Sequence, residues 1–392
     1  MSQGRFVDSD RALKQACREM RACDTLGFDT EFVRTRTYYS ILGLIQVSAA
    51  DTFFLIDPIA IEDLSPLARI FENRDILKIF YSCSEDLEVL YQRCHVIPTP
   101  IFDCQIAAAF VGHQFAGGYQ GLVSAMMDVQ LSKHSTRTDW TKRPLSEEQL
   151  EYAVEDVEYL IPLYNMIKER LRKKHRLKWV EDLCGELTDP ARLTPDPSQF
   201  YKRLKQSPSL PIRELAMLQR LCAWRENEAM QRDWPRNFVV SDAVLVSMCR
   251  LQPSSKAQLS RISGLHPVEV RRNSKCILDI ISDCQALPVR ELPESMRHRR
   301  STPAFTANLR RLRDEVNLQA EALDIPTDLI APRRALEDLL AGAVKTGEPT
   351  LPRELSGWRF DVVGKRLLAL TTEITQARAA RAARAAGAGS KK

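Results

Sequence analysis

Short apolar, β-rich runs punctuate the first part of the chain: Leu26–Val33 (LGFDTEFV), Leu42–Ala49 (LGLIQVSA), Thr52–Asp57 (TFFLID) and Ile76–Tyr81 (ILKIFY). The first three follow one another across short connections, the pattern of an antiparallel meander. Helical spacing takes over at Leu64–Phe71, Glu85–Cys94 and Gln105–Val111, with a short strand at Ile101–Asp103 before the last of these. A meander followed by alternating strands and helices predicts a mixed sheet with helices on its faces. Beyond Pro144, the residues Leu150, Ala153, Val154, Val157, Leu160 and Ile161 recur at helical spacing behind a Ser146/Gln149 capping box. Pro162 is expected to kink that long helix.

The polar pattern then changes. Residues 188–211 (TDPARLTPDPSQFYKRLKQSPSLP) hold five prolines and read as a linker. After Pro211 only helical periodicity remains, and it recurs. Leu215–Met230 and Leu309–Leu323 are amphipathic helices, each followed by a proline-containing turn (DWPRNF at 233–238, DIPTD at 324–328). Each is closed by a Ser-Gly turn before another helix, at ISGLHPVEVRRNSKCIL (262–278) and LSGWRFDVVGKRLL (355–368); the two Ser-Gly turns lie 93 residues apart. The second half thus reads as a diverged duplication. The division expected is residues 1–187, a linker at 188–211, helical domains at 212–290 and 300–375, and a basic tail at 376–392. That tail, rich in Ala and Arg with no apolar face, is expected to be disordered or a fraying helix.

Composition narrows the picture. With 392 residues, 44% hydrophobic and 27% charged, the chain suits two or three globular domains. No run approaches ~20 apolar residues, so no membrane span is expected. The polar N-terminus does not read as a secretory signal. The net charge of +5 hides an asymmetry: residues 1–200 sum to −7 and residues 201–392 to +12, which suggests a cation-binding half joined to a polyanion-binding half. Ten scattered cysteines without a C-x-x-C pair or Cys/His cluster read as reduced thiols in a cytoplasmic protein, with no structural zinc.

Three segments carry chemistry. In F-D-T-E-F, Asp29 and Glu31 share one strand face, with Phe28 and Phe32 on the other. D-x-E also occurs at 86/88 and 156/158, so the spacing alone says little. In S-C-S-E-D-L, Asp86 lies in a first helical turn after a strand, where open α/β sheets place ligands; Ser82 and Glu85 could cap that helix. The bland alternative is an acid favoured by the helix dipole. In Y-A-V-E-D, Tyr152 and Asp156 stack one helical turn apart, the only tyrosine in the chain with an aspartate four residues on. Together they offer four carboxylates and a phenol, the oxygen donors that hard divalent cations such as Mg2+ or Mn2+ prefer. Two such ions can align the attacking and leaving oxygens of a phosphodiester, which points to phosphoryl transfer by hydrolysis.

D-x-E, an aspartate at a helix start, and Y-x-x-x-D in this order resemble the DEDD exonuclease superfamily in its tyrosine-bearing branch. The segments FDTEFVRTRTYY, SEDLEVL, Lys133 through Arg-Thr-Asp-Trp140, Arg-Pro-Leu145 and YAVED resemble the bacterial ribonuclease D family within it. Residues 213–290 (LCAWRE, RNFVVSD, ISGLHP) resemble the helicase-and-ribonuclease-D C-terminal (HRDC) domain, and residues 305–375 a divergent second copy. The resemblance implies an α/β ribonuclease H-like exonuclease domain followed by two all-α HRDC-type domains. It implies that Asp29, Glu31, Asp86 and Asp156 bind two divalent cations, Mg2+ or Mn2+, and that Tyr152 positions the attacking water. Tyr81 departs from the family pattern, standing where many relatives carry histidine.

A 3'-5' exoribonuclease releasing 5'-mononucleotides follows from the resemblance, with precursor tRNA as substrate and a monomer acting in the cytoplasm. Such an enzyme must hold an unpaired 3' end by phosphate contacts and stacking. Phe32, Arg34, Tyr38, Tyr39, Lys133, Arg137 and Trp140 are the expected substrate contacts, although for Trp140 filling the core is the favoured reading. Arg271, Arg272, Lys275, Arg310, Arg311, Arg313, Arg333 and Arg334 form the densest basic clusters and could grip RNA or simply be solvated. A DNA 3'-5' exonuclease and a non-catalytic nucleic-acid-binding scaffold remain alternatives.

Overall fold

The computed structural model describes residues 4–113, 118–132, 138–194, 196–295 and 302–389. Six strands form one mixed sheet: β1 (Arg5–Val7), β2 (Thr25–Val33), β3 (Ile41–Ala49), β4 (Thr52–Ile56), β5 (Leu77–Phe80) and β6 (Ile101–Asp103), in the order β1-β4-β3-β2-β5-β6. The expected meander is β2-β3-β4, antiparallel throughout, while β1 joins β4 and β5 joins β2 in parallel. Central β3 is buried along almost its whole length, and β2 buries Leu26, Phe28 and Thr30 while leaving Asp29 and Glu31 partly open. Helices α1 (Asp10–Met20), α2 (Ser65–Glu72), α3 (Ser84–Cys94) and α4 (Glu147–Glu158) accompany the sheet. β1 and α1 add to the expected elements; in α1 Leu13, Ala16, Cys17 and Met20, all buried, carry the i, i+3, i+4, i+7 signature of a helix.

The helical region behaves as the periodicity expects. Helix α5 (Ile212–Arg232) and helix α6 (Pro303–Leu323) are each 21 residues long. Each ends on an aspartate in the left-handed conformation, Asp233 at φ 46° and Asp324 at φ 51°, and each is followed by a proline-led four-residue helix. The two Ser-Gly turns also match, Gly264 and Gly357 both having positive φ. Recurrence of the same backbone at nearly the same offsets supports duplication more strongly than the weak sequence identity does.

Four expectations are sharpened or corrected. The helix after Pro144 stops at Glu158, and a second begins at Leu160, because Pro162 has no N–H for the Glu158 carbonyl. Residues 188–211 are more than a tether: Phe200, Tyr201, Leu204 and Leu210 are buried in the core that holds Leu215, Leu218 and Leu221 of α5. Of the two alternatives for the tail, the helix is the one found: as far as Gly389 it continues a helix that begins at Lys365, since Ala and Arg are strong helix formers even without an apolar face. Finally, the cap of α3 falls on Cys83, with no side-chain capping bond, because Ser82 sits at φ 63°.

The chain divides into two compact units that cut across the linear boundaries. One comprises residues 1–101, 132–161 and 185–300; the other comprises 102–131, 162–184 and 301–392. Aromatic packing explains the second grouping. Trp179 stacks on Trp358 at 4.8 Å and 13°, and Phe110 meets Trp358 edge-on at 5.5 Å, joining segments far apart in sequence. All ten cysteines are free, seven of them buried and Cys276 exposed. No helix among the described residues is long and apolar enough to cross a membrane.

Candidate metal centre

Strand alternation places Asp29 and Glu31 on one face of β2, and α4 brings Asp156 to them. Ligand oxygens of Asp29, Glu31 and Asp156 lie within 4.8 Å of one another, all three residues partly accessible. Helix α4 is held at its start by the expected reciprocal cap, Gln149 N–H to Ser146 Oγ at 3.2 Å and Ser146 N–H to Gln149 Oε1 at 3.0 Å. Asp86 enters from the first turn of α3. It lies outside that trio, is itself buried, and accepts a hydrogen bond from Thr30 Oγ1. Thr30, between the two β2 carboxylates, is a contributor that no spacing rule singled out.

Electrostatics identify this as a strained cluster. Burial first, then the charges of Asp86, Asp156 and Glu31, push the Asp29 carboxyl well above its ordinary value. Burial, Asp156 and Asp86 raise Glu31 to about 8. Burial lifts Asp156 to about 7, with Glu155 and Asp86 adding to the rise and a Tyr152 hydrogen bond opposing it. Like charges this close disfavour ionisation of one another unless a cation compensates them. The Tyr152 phenol is raised by burial and by Asp156, Glu31 and Asp29, so it holds its proton at neutral pH.

Behind Tyr152 lies a packed support. Trp140, 2% exposed, sits 6.0 Å from the Tyr152 ring, centroid to centroid. The β2/β3 register shifts here: Glu31 faces Leu44 and Phe32 faces Leu42, which leaves Gly43 as the extra residue of a bulge. A side chain at Gly43 would meet Trp140 Cβ and its carbonyl oxygen at 2.7 Å, so glycine permits the approach. Arg143 closes the arrangement, donating to Asp57 at 2.6 and 2.7 Å, to Gly43 O at 2.7 Å and to Trp140 O at 2.8 Å.

The expected substrate contacts separate. Phe32 is half-buried beside the bulge, and Tyr39 is 39% exposed. Arg34 donates to Glu88 at 2.8 Å and to Ser40 at 2.7 Å while remaining exposed. Tyr38 is already engaged, donating its hydroxyl to Glu226 at 3.1 Å. Trp140 is too buried to stack on a base, because it is packed between the Gly43 bulge and Tyr152; its core alternative is the one observed. Lys133 and Arg137 lie outside the described residues. Among the basic clusters, Arg272, Lys275, Arg311, Arg333 and Arg334 each sit within 4 Å of a carboxylate.

Comparison with known proteins identifies the family. Residues 5–172 match the model of a 3'-5' exonuclease family, and residues 214–281 match the HRDC domain. Ribonuclease D of Pseudomonas paraeruginosa is 36% identical over 363 residues, 93% of this chain and 96% of that protein. Ribonuclease D of Escherichia coli is 35% identical over 372 residues, 95% and 99% of the two chains. The crystal structure of Escherichia coli RNase D, described as an exoribonuclease involved in structured RNA processing, superposes with a TM-score of 0.86 over 95% of this chain and 99% of that one. Similarity that runs through both the carboxylate-bearing sheet and the helical region covers the whole architecture, and the chain belongs to the ribonuclease D family.

Proposed function

We propose that this 3'-5' exoribonuclease releases 5'-mononucleotides at the centre formed by Asp29, Glu31, Asp86, Tyr152 and Asp156. The observation that carries the reading is the crowding of the carboxylates: the oxygens of Asp29, Glu31 and Asp156 lie within 4.8 Å of one another, and burial together with neighbouring acid charge, Asp86 included, raises all three, which suits a bound cation. The donor set is all oxygen, which fits Mg2+ or Mn2+, and four carboxylates match the charge of two such ions. When bound, those ions supply charge stabilisation at the phosphate and a more acidic water.

The protein's own groups do the positioning. Asp29 and Glu31 are fixed by the sheet, Asp156 by the capped helix, and Asp86 by Thr30. Tyr152 keeps its proton at Oη and hydrogen-bonds Asp156, so it orients a water rather than deprotonating it. Phe32, Arg34 and Tyr39 are the residues we assign to the unpaired 3' end. Precursor tRNA in the cytoplasm is the substrate we infer, handled by a monomer.

The test incubates the chain with 3'-labelled RNA and DNA of one sequence, with Mn2+, Mg2+ or chelator. Mononucleotide release from RNA alone, abolished by chelator and by Asp29→Ala or Asp156→Asn, is expected. Tyr152→Phe should lower kcat with little change in RNA binding. Metal-independent release would refute the assignment.

A further inference from the structure

The segment that follows the catalytic strand is held by the first helical repeat. Backbone N–H groups of Tyr38 and Tyr39 both donate to Asp233 Oδ1, each at 3.0 Å. The Tyr38 ring packs against the repeat's core, and its hydroxyl donates to Glu226, a fully buried carboxylate that also accepts from Arg236 Nε at 2.6 Å. Arg236 lies over the Tyr38 ring at 5.2 Å and over Phe200 at 4.6 Å. Three independent contacts therefore converge on a stretch of a few residues between Arg34 and β3.

Asp233 is suited to this by its backbone. It ends α5 in the left-handed conformation, which turns its carboxylate away from the helix axis and toward the segment. Its neighbours are clamped: Arg232 makes a two-point ion pair with buried Glu269 at 2.7 and 3.0 Å and covers the Trp234 ring at 4.0 Å. The second repeat places the same residue type in the same conformation, Asp324, and its carboxylate abuts Gly112 of the exonuclease segment. The same helix-ending aspartate thus contacts the exonuclease segment in each repeat.

We propose that Asp233 is a positioning residue for RNA, holding the Thr37–Ser40 segment so that Arg34 and Tyr39 present a fixed surface to the substrate. That segment forms one wall of a cavity of about 1240 Å3, which Arg34, Tyr39, Arg203 and Arg236 help to line. Releasing the wall blurs the placement of Arg34 and Tyr39 without touching the carboxylates, so the effect falls on KM rather than on kcat. The inference rests on the reading of Arg34 and Tyr39 as RNA contacts.

Asp233→Gly is the informative variant, because glycine keeps the positive φ and removes only the acceptor; Asp233→Asn restores an acceptor at the same place. In Asp233→Gly, amide hydrogen exchange at Tyr38 and Tyr39 should accelerate about tenfold or more, and KM for RNA should rise about tenfold with kcat changed less than about twofold. Asp233→Asn should recover most of both effects. Asp324→Gly, which removes the matching carboxylate from the second repeat, should leave KM and the Tyr38 and Tyr39 exchange unchanged. Unaltered exchange in Asp233→Gly would overturn the docking itself. Accelerated exchange with unaltered KM would overturn the positioning role, and a parallel loss of kcat, KM and thermal stability would mark a merely structural residue. Failure of the exoribonuclease assignment would show instead in the wild-type chain, whose exchange pattern does not depend on it.

Discussion

Gly43→Ala isolates how the bulge controls the centre. A Cβ at this position would lie 2.7 Å from Trp140 Cβ and carbonyl oxygen and 3.0 Å from its carbonyl carbon. Carbon atoms pack at roughly 3.5–4.0 Å, so the Trp140 backbone would have to retreat by about 0.8 Å. Arg143 resists that retreat, because it ties Trp140 O and Gly43 O to one guanidinium. Overpacking of this kind costs about 1–3 kcal/mol. The displaced indole is the neighbour of Tyr152, and on the role we propose for Tyr152, misplacing it by ~1 Å can cost about 100-fold in rate. We expect kcat on a short single-stranded RNA to fall by about 10- to 100-fold, with KM nearly unchanged and a thermal midpoint lowered by an amount consistent with the overpacking cost. Single-turnover cleavage with 3'-labelled RNA, read beside thermal unfolding, tests this. Full activity in a stably folded Gly43→Ala protein would show that Trp140 does not transmit its position to Tyr152.

Two further outcomes follow from the charges. Burial opposes ionisation of Asp57, but Arg143 and the Ile59 and Ala60 amides overcome it and hold the carboxyl below its ordinary value. A depressed carboxyl adds stability at pH above its unfolded pKa and loses it as pH falls through the folded one; Arg143→Met should therefore cost about 3 kcal/mol near neutrality and much less in acid, as urea unfolding across pH would record. A variant no less stable than wild type at pH 7 would refute the pairing. Burial and its acid neighbours push the Asp29 carboxyl well above its ordinary value, which costs folding stability at neutral pH; Asp29→Asn removes that penalty, so with chelator present it should be more stable than wild type by about 1–2 kcal/mol while losing nuclease activity. Equal or lower stability without metal would mean that the carboxylates do not strain the fold.

What the sequence made legible depended on range. Asp29 and Glu31 could be paired because strand alternation is local, and Tyr152 with Asp156 because a helical turn is local. The meander β2-β3-β4 followed for the same reason, from short connections between apolar runs. Features set by register or distant packing were not readable. Nothing in L-G-L-I announces that Gly43 faces a bulge, since the shift exists only once Glu31 is paired with Leu44 and Phe32 with Leu42. Nothing near Trp140 decides between base stacking and burial until the bulge brings the two backbones together. The division into units escaped for a like reason: Trp179 and Trp358 stack across a separation that no local period encodes.

The charge asymmetry now has a physical account. The acidic half concentrates negative charge where three carboxylates converge within 4.8 Å, a placement whose mutual repulsion calls for a cation. The basic half is less free than its net charge suggests. Lys275–Asp279, Arg333–Glu337 and Arg334–Asp338 are one-turn pairs on their own helices, and Arg272 and Arg311 lean on Glu228 and Glu373. Exposed pairs of this kind are worth little individually, so a phosphate can displace the acid at small cost. An RNA backbone meeting these helices would therefore exchange one partner for another, and its grip would be strongly salt-dependent without requiring a preformed bare cationic patch. Electrostatic attraction of that kind carries no register. Register has to come from directional contacts nearer the centre, and on the role we propose it comes through the Asp233 carboxylate, which accepts from two successive amides of the segment after β2.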